Sequence, residues 1–287
     1  MPDITVAVST RNRGSEIFKT IETVLGNDYD NFDVVVVDQS DDETTRDALK
    51  PFFGDPRFSY VPSTKRGLAA GRNVAIAACD SELIAMTDDD CEVEKDWVRE
   101  MVKAFAVNTQ IGVVFGNVIA GPHDQSQGFI PAYHQDQPVL ARSISEKHHI
   151  EGIGASMAIR RRTWTALHGF DENFGAGSRF CSAEELDFTV RALLNGYAAY
   201  VAPAARVVHY GFRSWASGQS LIWGYLYGIG AMFGKLLRAG HWSVLALMWH
   251  LAWRWAFEKP VVDLGHKPPR MLRLNAFCRG FIAGGLA

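Results

Sequence analysis

Two short runs of wholly apolar residues, each stopped by acid, constrain the fold of this chain most tightly. Val34-Val35-Val36-Val37 ends at Asp38, and Leu83-Ile84-Ala85-Met86-Thr87 ends at Asp88-Asp89-Asp90. A strand with no alternating polar residue is covered on both faces, as in a parallel sheet flanked by helices. Residues 4–10, 58–61 and 112–119 read as further strands, and 44–53, 68–79 and 95–106 as helices. Ile17, Ile21, Val24 and Leu25 fall at helical spacing, with Ser15 placed to cap that helix and Gly26 to end it. This alternation predicts an α/β sandwich around a mostly parallel central sheet. Ligands of such sheets bind outside the carboxyl ends of the strands, where Asp38 and Asp88 to Asp90 stand.

Beyond residue 120 the pattern is less regular. Residues 121–150 are polar and aperiodic, and hold His123, His134, His148 and His149. Their spacing matches no compact ligand set, so they read as solvated histidines of a loop that is acceptor-facing or mobile. Residues 153–159 return as a strand and 169–177 form a loop. Residues 183–195 read as a helix with Leu186, Val190, Leu193 and Leu194 on its buried stripe and Gly196 at its end. Residues 198–201 and 206–209 read as two short extended pieces. Trp164, Phe170 and Phe174 are expected in the core, with the wall of an acceptor pocket as the alternative.

Three like charges at one strand end destabilise each other unless a positive group sits between them. A divalent cation with a preference for carboxylate oxygen, Mg²⁺ or Mn²⁺, satisfies that need and bridges to substrate phosphates; the alternative is a solvated acidic turn. Composition fits a folded protein, with 47% hydrophobic and 21% charged residues. The N-terminus reads without a secretory leader. Cys79, Cys91, Cys181 and Cys278 are scattered, which argues against a disulfide framework or a zinc site and for a reducing compartment. No nucleic-acid partner is expected.

The net charge of -3 hides a split. Residues 1–212 carry 20 Lys and Arg against 30 Asp and Glu, whereas residues 213–287 carry 9 against 2. Six of the eight tryptophans, Trp215, Trp223, Trp242, Trp249, Trp253 and Trp255, lie in that basic tail. Gly224-x-x-x-Gly228 and Gly230-x-x-x-Gly234 permit close helix packing. Residues 214–234 hold no charge and reach the length of a bilayer span, but serines, Gln219 and glycines dilute them. Trp-rich apolar helices among basic residues suit a membrane surface. A re-entrant hairpin, a soluble helical appendage and an oligomer contact are the alternatives. The chain therefore divides into residues 1–212 and an appendage, 213–287, expected to be peripheral or monotopic on the cytoplasmic side of the cell membrane.

Several ordered motifs in residues 3–212 resemble those of family 2 glycosyltransferases, which have the GT-A fold. Val8-Ser9-Thr10-Arg11-Asn12-Arg13 resembles the first nucleotide-binding turn and Val36-Val37-Asp38-Gln39-Ser40-Asp41-Asp42 the second. Arg66-Gly67-Leu68-Ala69-Ala70-Gly71-Arg72-Asn73 resembles the family's Gly-x-x-x-Ala-Arg-Asn segment, with Gly71 in place of Ala. Thr87-Asp88-Asp89-Asp90 resembles the metal-binding Asp-x-Asp. Gly169-Phe170-Asp171-Glu172 and Glu184-Glu185-Leu186-Asp187-Phe188 resemble the region of the catalytic base.

The resemblance implies inverting transfer of a sugar from a nucleoside diphosphate, UDP favoured, to an acceptor hydroxyl. Thr10, Arg11, Asn12, Arg13, Asp38, Gly67, Arg72, Asp88 and Asp89 would hold the donor, with Asp38 on the nucleobase. Asp88, Asp90 and His209 would hold Mn²⁺ or Mg²⁺. Glu185 takes the base position, where the family more often has Asp, with Glu184 and Asp187 in reserve. Ser182-Ala183-Glu184-Glu185 also fits a capping box, in which Glu185 bonds backbone and serves the fold; the helix dipole would keep it ionised. A tail on the membrane brings a lipid-linked glycan or glycolipid acceptor within reach. A sugar nucleotidyltransferase would open with a glycine-rich loop, which Ser9-Thr10-Arg11-Asn12-Arg13-Gly14 is not. A non-catalytic nucleotide-sugar sensor or membrane scaffold is the other alternative.

Overall fold

The computed structural model describes residues 2–257 and 270–287. The strands are β1 (Ile4–Thr10), β2 (Phe32–Asp38), β3 (Phe58–Pro62), β4 (Leu83–Thr87), β5 (Cys91–Val93), β6 (Ile111–Ala120), β7 (Gly128–Phe129), β8 (Val139–Ala141), β9 (Met157–Arg160), β10 (Ala198–His209) and β11 (Arg213–Ser214). The α-helices are α1 (Ile17–Leu25), α2 (Thr44–Leu49), α3 (Leu68–Ala77), α4 (Trp97–Ala106), α5 (Arg161–Ala166), α6 (Glu184–Leu194), α7 (Trp215–Arg238), α8 (Val244–Phe257) and α9 (Arg270–Leu286).

Among the described residues the main sheet runs β3-β2-β1-β4-β9-β6-β10-β5, with β8 also on β10. Its first four strands are parallel, and β2 and β4, which carry the apolar runs Val34–Val37 and Leu83–Met86, flank β1. β9 enters antiparallel between β4 and β6. One apolar layer packs Val6, Val34, Val36 and Ala85 against Ile17, Ile21 and Trp97, and the other packs Val35, Val37 and Met86 against Ile76 and Phe188. Covering on both faces is what their unbroken apolar sequences require.

Four local expectations need correction. Ser15 lies in a short 3-10 turn and α1 starts without a side-chain cap. Residues 198–209 form one strand, β10, which runs on through a shift of register against β6 between Ala202 and Arg206. Residues 153–156 are not strand but a 3-10 turn at Gly154–Ser156 that leads into β9. Residues 121–150 are not a plain loop: β8 joins the main sheet, β7 pairs with β11, and a 3-10 turn covers Ile144–His149.

The tail is helical and packs on the first part of the chain. Phe174, Phe180 and Val190 share a core with Ala231, Phe233, Val244 and Leu247. α7 and α9 run side by side in parallel. A side chain on Gly280 would overlap the Tyr227 carbonyl, and one on Gly284 the Ala231 carbonyl, while Gly230 and Gly234 face Phe277 and Phe281. The expected small-residue packing is present, with a second Gly-x-x-x-Gly pair on α9 as its partner. No helix among the described residues is long and apolar enough to cross a membrane. Residues 258–269, with Lys259 and Lys267 of the basic tail, lie outside the described residues.

Candidate active site

The parallel register delivers the acidic residues to one edge. Thr10 pairs with Asp38 across β1 and β2, and Val8 with Thr87 across β1 and β4. The loops after β1, β2 and β4 therefore emerge together. β5 follows Asp90 at once and pairs Cys91 with His209 at the end of β10. That pairing brings His209 beside Asp90 although they are far apart in sequence.

The Asp90 carboxylate lies 3.2 Å from His209 Nε2, and these groups and the Cys91 thiol lie within 4.8 Å of one another. His209 Nδ1 donates to the Pro131 carbonyl at 2.8 Å, which turns Nε2 toward the carboxylate. Burial disfavours the charged ring, but the bond and charge of Asp90 outweigh it and raise the His209 pKa. Burial acts to raise Asp90 too, and His209 and Arg13 reverse it, so that Asp90 is held below the usual carboxylate range. Burial pushes the Cys91 thiol well up, leaving it protonated. Mn²⁺ and Mg²⁺ prefer hard carboxylate oxygen to soft sulfur, so Asp90, with the imidazole of His209, fits such a cation better than Cys91 does. Gly211 keeps the space open: a β-carbon there would sit 2.5 Å from His209 Nε2 and 2.8 Å from Asp90 Oδ2.

The other two acids have cationic partners. Arg13 bridges Asp89 at 3.0 Å and Asp90 at 2.9 Å. Burial pushes Asp89 up to about 6, against the pull of Arg13. Arg72 is 3% exposed and reaches Glu184 at 3.2 Å and Asp88 at 3.5 Å. Burial raises the Asp88 pKa and Arg72 opposes it. A side chain at Gly154 would overlap the Arg72 guanidinium.

Glu185 stands across the same cavity. The capping box of the sequence is absent: Ala183 holds the N-cap position in the left-handed region, at φ 71°, with no side-chain cap. Ser182 Oγ donates instead to the carbonyls of Gly224 and Tyr225 on α7, at 3.1 and 3.3 Å. Of the three carboxylates in this turn, Glu184 is held by Arg72 and Asp187, fully buried, by Arg191 at 2.7 Å. Glu185 Oε2 is buried with no hydrogen-bond partner. Burial and the neighbouring Glu184 carboxylate push the Glu185 pKa up to about 8, with Arg72 acting against them. This overturns the expectation that the helix dipole keeps it readily ionised.

A cavity of about 740 Å³ joins these groups. Thr10, Arg11, Arg13, Gly67, Arg72, Asp88, Asp89, Asp90, Glu185 and His209 all line it. Asp38 and Asn12 are not among its lining residues. Asp38 accepts from Tyr60 Oη at 2.8 Å and from Ser40 N at 2.9 Å, and Gln39 beside it reaches the cavity. Asn12 exchanges hydrogen bonds with Asp41. Arg66 also pairs with Asp41 and Lys65 with Glu172. Sequence reasoning did not anticipate Cys91 beside Asp90 and His209, nor Gln39, Lys147 or the residues from the tail, Arg213, Leu221, Tyr225, Ile229, Leu247 and Leu251, in the cavity lining. His148 of the loop expected to face an acceptor does line it. The tail is separated from the acids by more than a hundred residues, and no local spacing marks its approach.

Two motif residues serve the fold. Asn73 accepts from Trp164 Nε1 at 3.0 Å and from Phe170 N at 2.9 Å, and so pins the loop after α5. Gly71 packs α3 onto β1: a β-carbon there would lie 2.8 Å from Ser9 Oγ, which explains why the alanine usual at this position is absent. Phe170 and Phe174 are core residues, as expected.

Residues 5–166 match the family model described as Glycosyl transferase family 2. Among similar proteins, a glucosyl-dolichyl phosphate glucuronosyltransferase of Haloferax volcanii is 24% identical over 197 residues, 66% of this chain and 62% of that protein. The succinoglycan biosynthesis protein ExoO of Rhizobium meliloti is 34% identical over 115 residues, 39% of this chain and 33% of that protein. The chain thus spans less than two thirds of the length of these relatives. Among solved structures, the mannosyltransferase PcManGT from Pyrobaculum calidifontis in complex with GDP-Man and Mn²⁺ matches with a TM-score of 0.64 at 21% identity, over 99% of this chain and 87% of its own. TarS residues 1–349 of S. aureus match with a TM-score of 0.67 at 18% identity, over 98% and 81%.

Proposed function

The chain belongs to glycosyl transferase family 2 and has the GT-A fold, and from that premise we propose that it transfers a sugar, with inversion, from a nucleoside diphosphate to an acceptor hydroxyl. The observation that carries this reading is the buried, unpartnered carboxylate oxygen of Glu185, a residue that lines one cavity with Asp88 to Asp90 and His209. Glu185 takes the proton of the acceptor hydroxyl as that oxygen attacks the anomeric carbon. The bond from that carbon to the diphosphate oxygen breaks on the opposite face, and the nucleoside diphosphate leaves with the electron pair. Arg13 and Arg72 supply positive charge near the departing phosphates. Asp90 and His209, with Asp88 adjoining, are the residues that would hold a divalent cation, which when bound neutralises charge on the diphosphate. UDP-sugars are the first donors to test, although Asp38 already has both oxygens bonded.

Residues 1–212 are proposed as the transferase core and 213–287 as the appendage that seats it on the cytoplasmic membrane face, with a lipid-linked glycan or glycolipid as acceptor. Trp242, Leu245, Trp249 and Trp253 support this seat. They recur along one side of α8 and its approach, and are 66%, 42%, 69% and 52% exposed.

A thermal-shift screen of nucleotide sugars with Mn²⁺ or Mg²⁺ identifies the donor, since a ligand that binds only the folded chain raises its melting temperature. Transfer or donor hydrolysis is then expected to vanish with EDTA and in Asp90→Asn. Activity that survives both would overturn the metal assignment.

A further inference from the structure

The cavity does not end at Glu185. Beyond it, α7 contributes Leu221, Tyr225 and Ile229, and α8 contributes Leu247 and Leu251. Lys147, His148, Glu151 and Arg213 line the same cavity from other segments, while on these two helices the lining has one polar tip, the Tyr225 hydroxyl. A hydrophilic glycan seated here would leave its hydroxyls facing hydrocarbon, which costs binding unless each finds a partner. An apolar chain has no such cost, and Leu221, Ile229 and Leu251 are only half-buried, with surface left to cover.

The helix that builds the wall is apolar on two sides. Val244 and Leu247 turn inward to the core, whereas Leu245, Trp249 and Trp253 of the same helix face outward. A helix apolar on opposite sides belongs between two apolar media. Here one is the cavity, and the outward tryptophans suit the lipid interface. α8 therefore stands where a chain leaving the bilayer would enter the cavity.

Building on the transferase reading, we propose that the acceptor is an amphiphile whose lipid chain lies on the α7–α8 wall while its hydroxyl is presented to Glu185. The tail helices are then the acceptor-chain subsite as well as a membrane seat, and the wall sets specificity for a membrane-resident acceptor.

The test uses the full chain with nucleoside diphosphate and Mn²⁺. Alkyl glycosides of one, eight and twelve carbons, each with a photoreactive group at the chain end, are applied below their micellar concentrations. Saturable labelling of residues 221–229 and 247–251 is expected, with half-saturation falling roughly tenfold or more from eight to twelve carbons. Leu221→Gln and Leu251→Gln, at half-buried positions that tolerate a polar group, should each weaken labelling by about tenfold. The nucleotide-induced rise in melting temperature should stay unchanged in both. Labelling that is independent of chain length, or confined to the outward face of α8, with the nucleotide shift intact, would overturn the subsite. If no nucleotide or nucleotide sugar shifts the melting temperature, the transferase reading fails, and an acceptor role for the wall fails with it.

Discussion

Three carboxylates crowd the first turn of α6, and their partners separate their roles. Arg72 holds Glu184 and Arg191 holds one oxygen of Asp187. The other Asp187 oxygen is also unpartnered, but Asp187 does not line the cavity, so in the proposed reaction Glu185 is the carboxylate that accepts the proton. Glu185→Gln is expected to lower transfer by ~10²–10⁴-fold, the usual contribution of a positioned base, while donor binding persists in a thermal-shift assay. The pH dependence has a defined sign. As the proposed base Glu185 must be ionised, and burial and the Glu184 charge push it up to about 8, so kcat/KM should climb about tenfold per pH unit toward that value. Stability should run the other way. The folded chain keeps a proton on Glu185 that the unfolded chain releases near 4.5, so stability falls as pH rises between 4.5 and about 8. Asp89, pushed up to about 6 from 3.8, adds to the lower part of that window. Melting temperature against pH is the measurement, and Glu185→Gln should flatten its upper half.

The turn before α6 is strained at the level of the element. Cys181 and Ala183 both hold positive φ, 64° and 71°, a conformation that costs a non-glycine residue of order 1–3 kcal/mol. α7 holds it in place through the two bonds from Ser182 Oγ. Gly228 makes that approach possible, since a side chain there would overlap Ser182 Oγ and crowd the Phe180 carbonyl at 2.8 Å. Gly228→Ala should therefore lift α7 from the turn and lose about 1–3 kcal/mol of stability in thermal or denaturant unfolding. Because the same turn aims Glu185, kcat should fall more than donor affinity. Equal losses in both, or a fully active variant, would show that α7 does not position the base.

On the scale of the whole molecule, an acidic body carries a basic, Trp-rich tail. If the tail seats on lipid, the full chain should float with anionic vesicles and release as salt rises, because the charge contribution is screened. Trp249→Gln with Trp253→Gln should weaken vesicle binding about tenfold by removing two rings from the interface. The nucleotide-induced thermal shift should survive the double substitution. Absence of lipid-dependent flotation would leave the helices as a packing appendage only.

Periodicity alone located the strands that carry the acids, because a run such as Val34 to Val37 has one stable setting, between two apolar layers. The parallel order of those strands followed, and with it the gathering of Asp88 to Asp90 at one edge. The motif resemblance added Glu185 and His209 as expectations. What tertiary structure decided was which of these groups has a partner. Ser182 looks like a cap in sequence and bonds α7 in space; Asp38 looks free and has both oxygens taken. The tail's part in the cavity was equally invisible. Strand pattern is a property of neighbouring residues, whereas hydrogen-bond partners and cavity walls come from segments that meet only when the chain has packed.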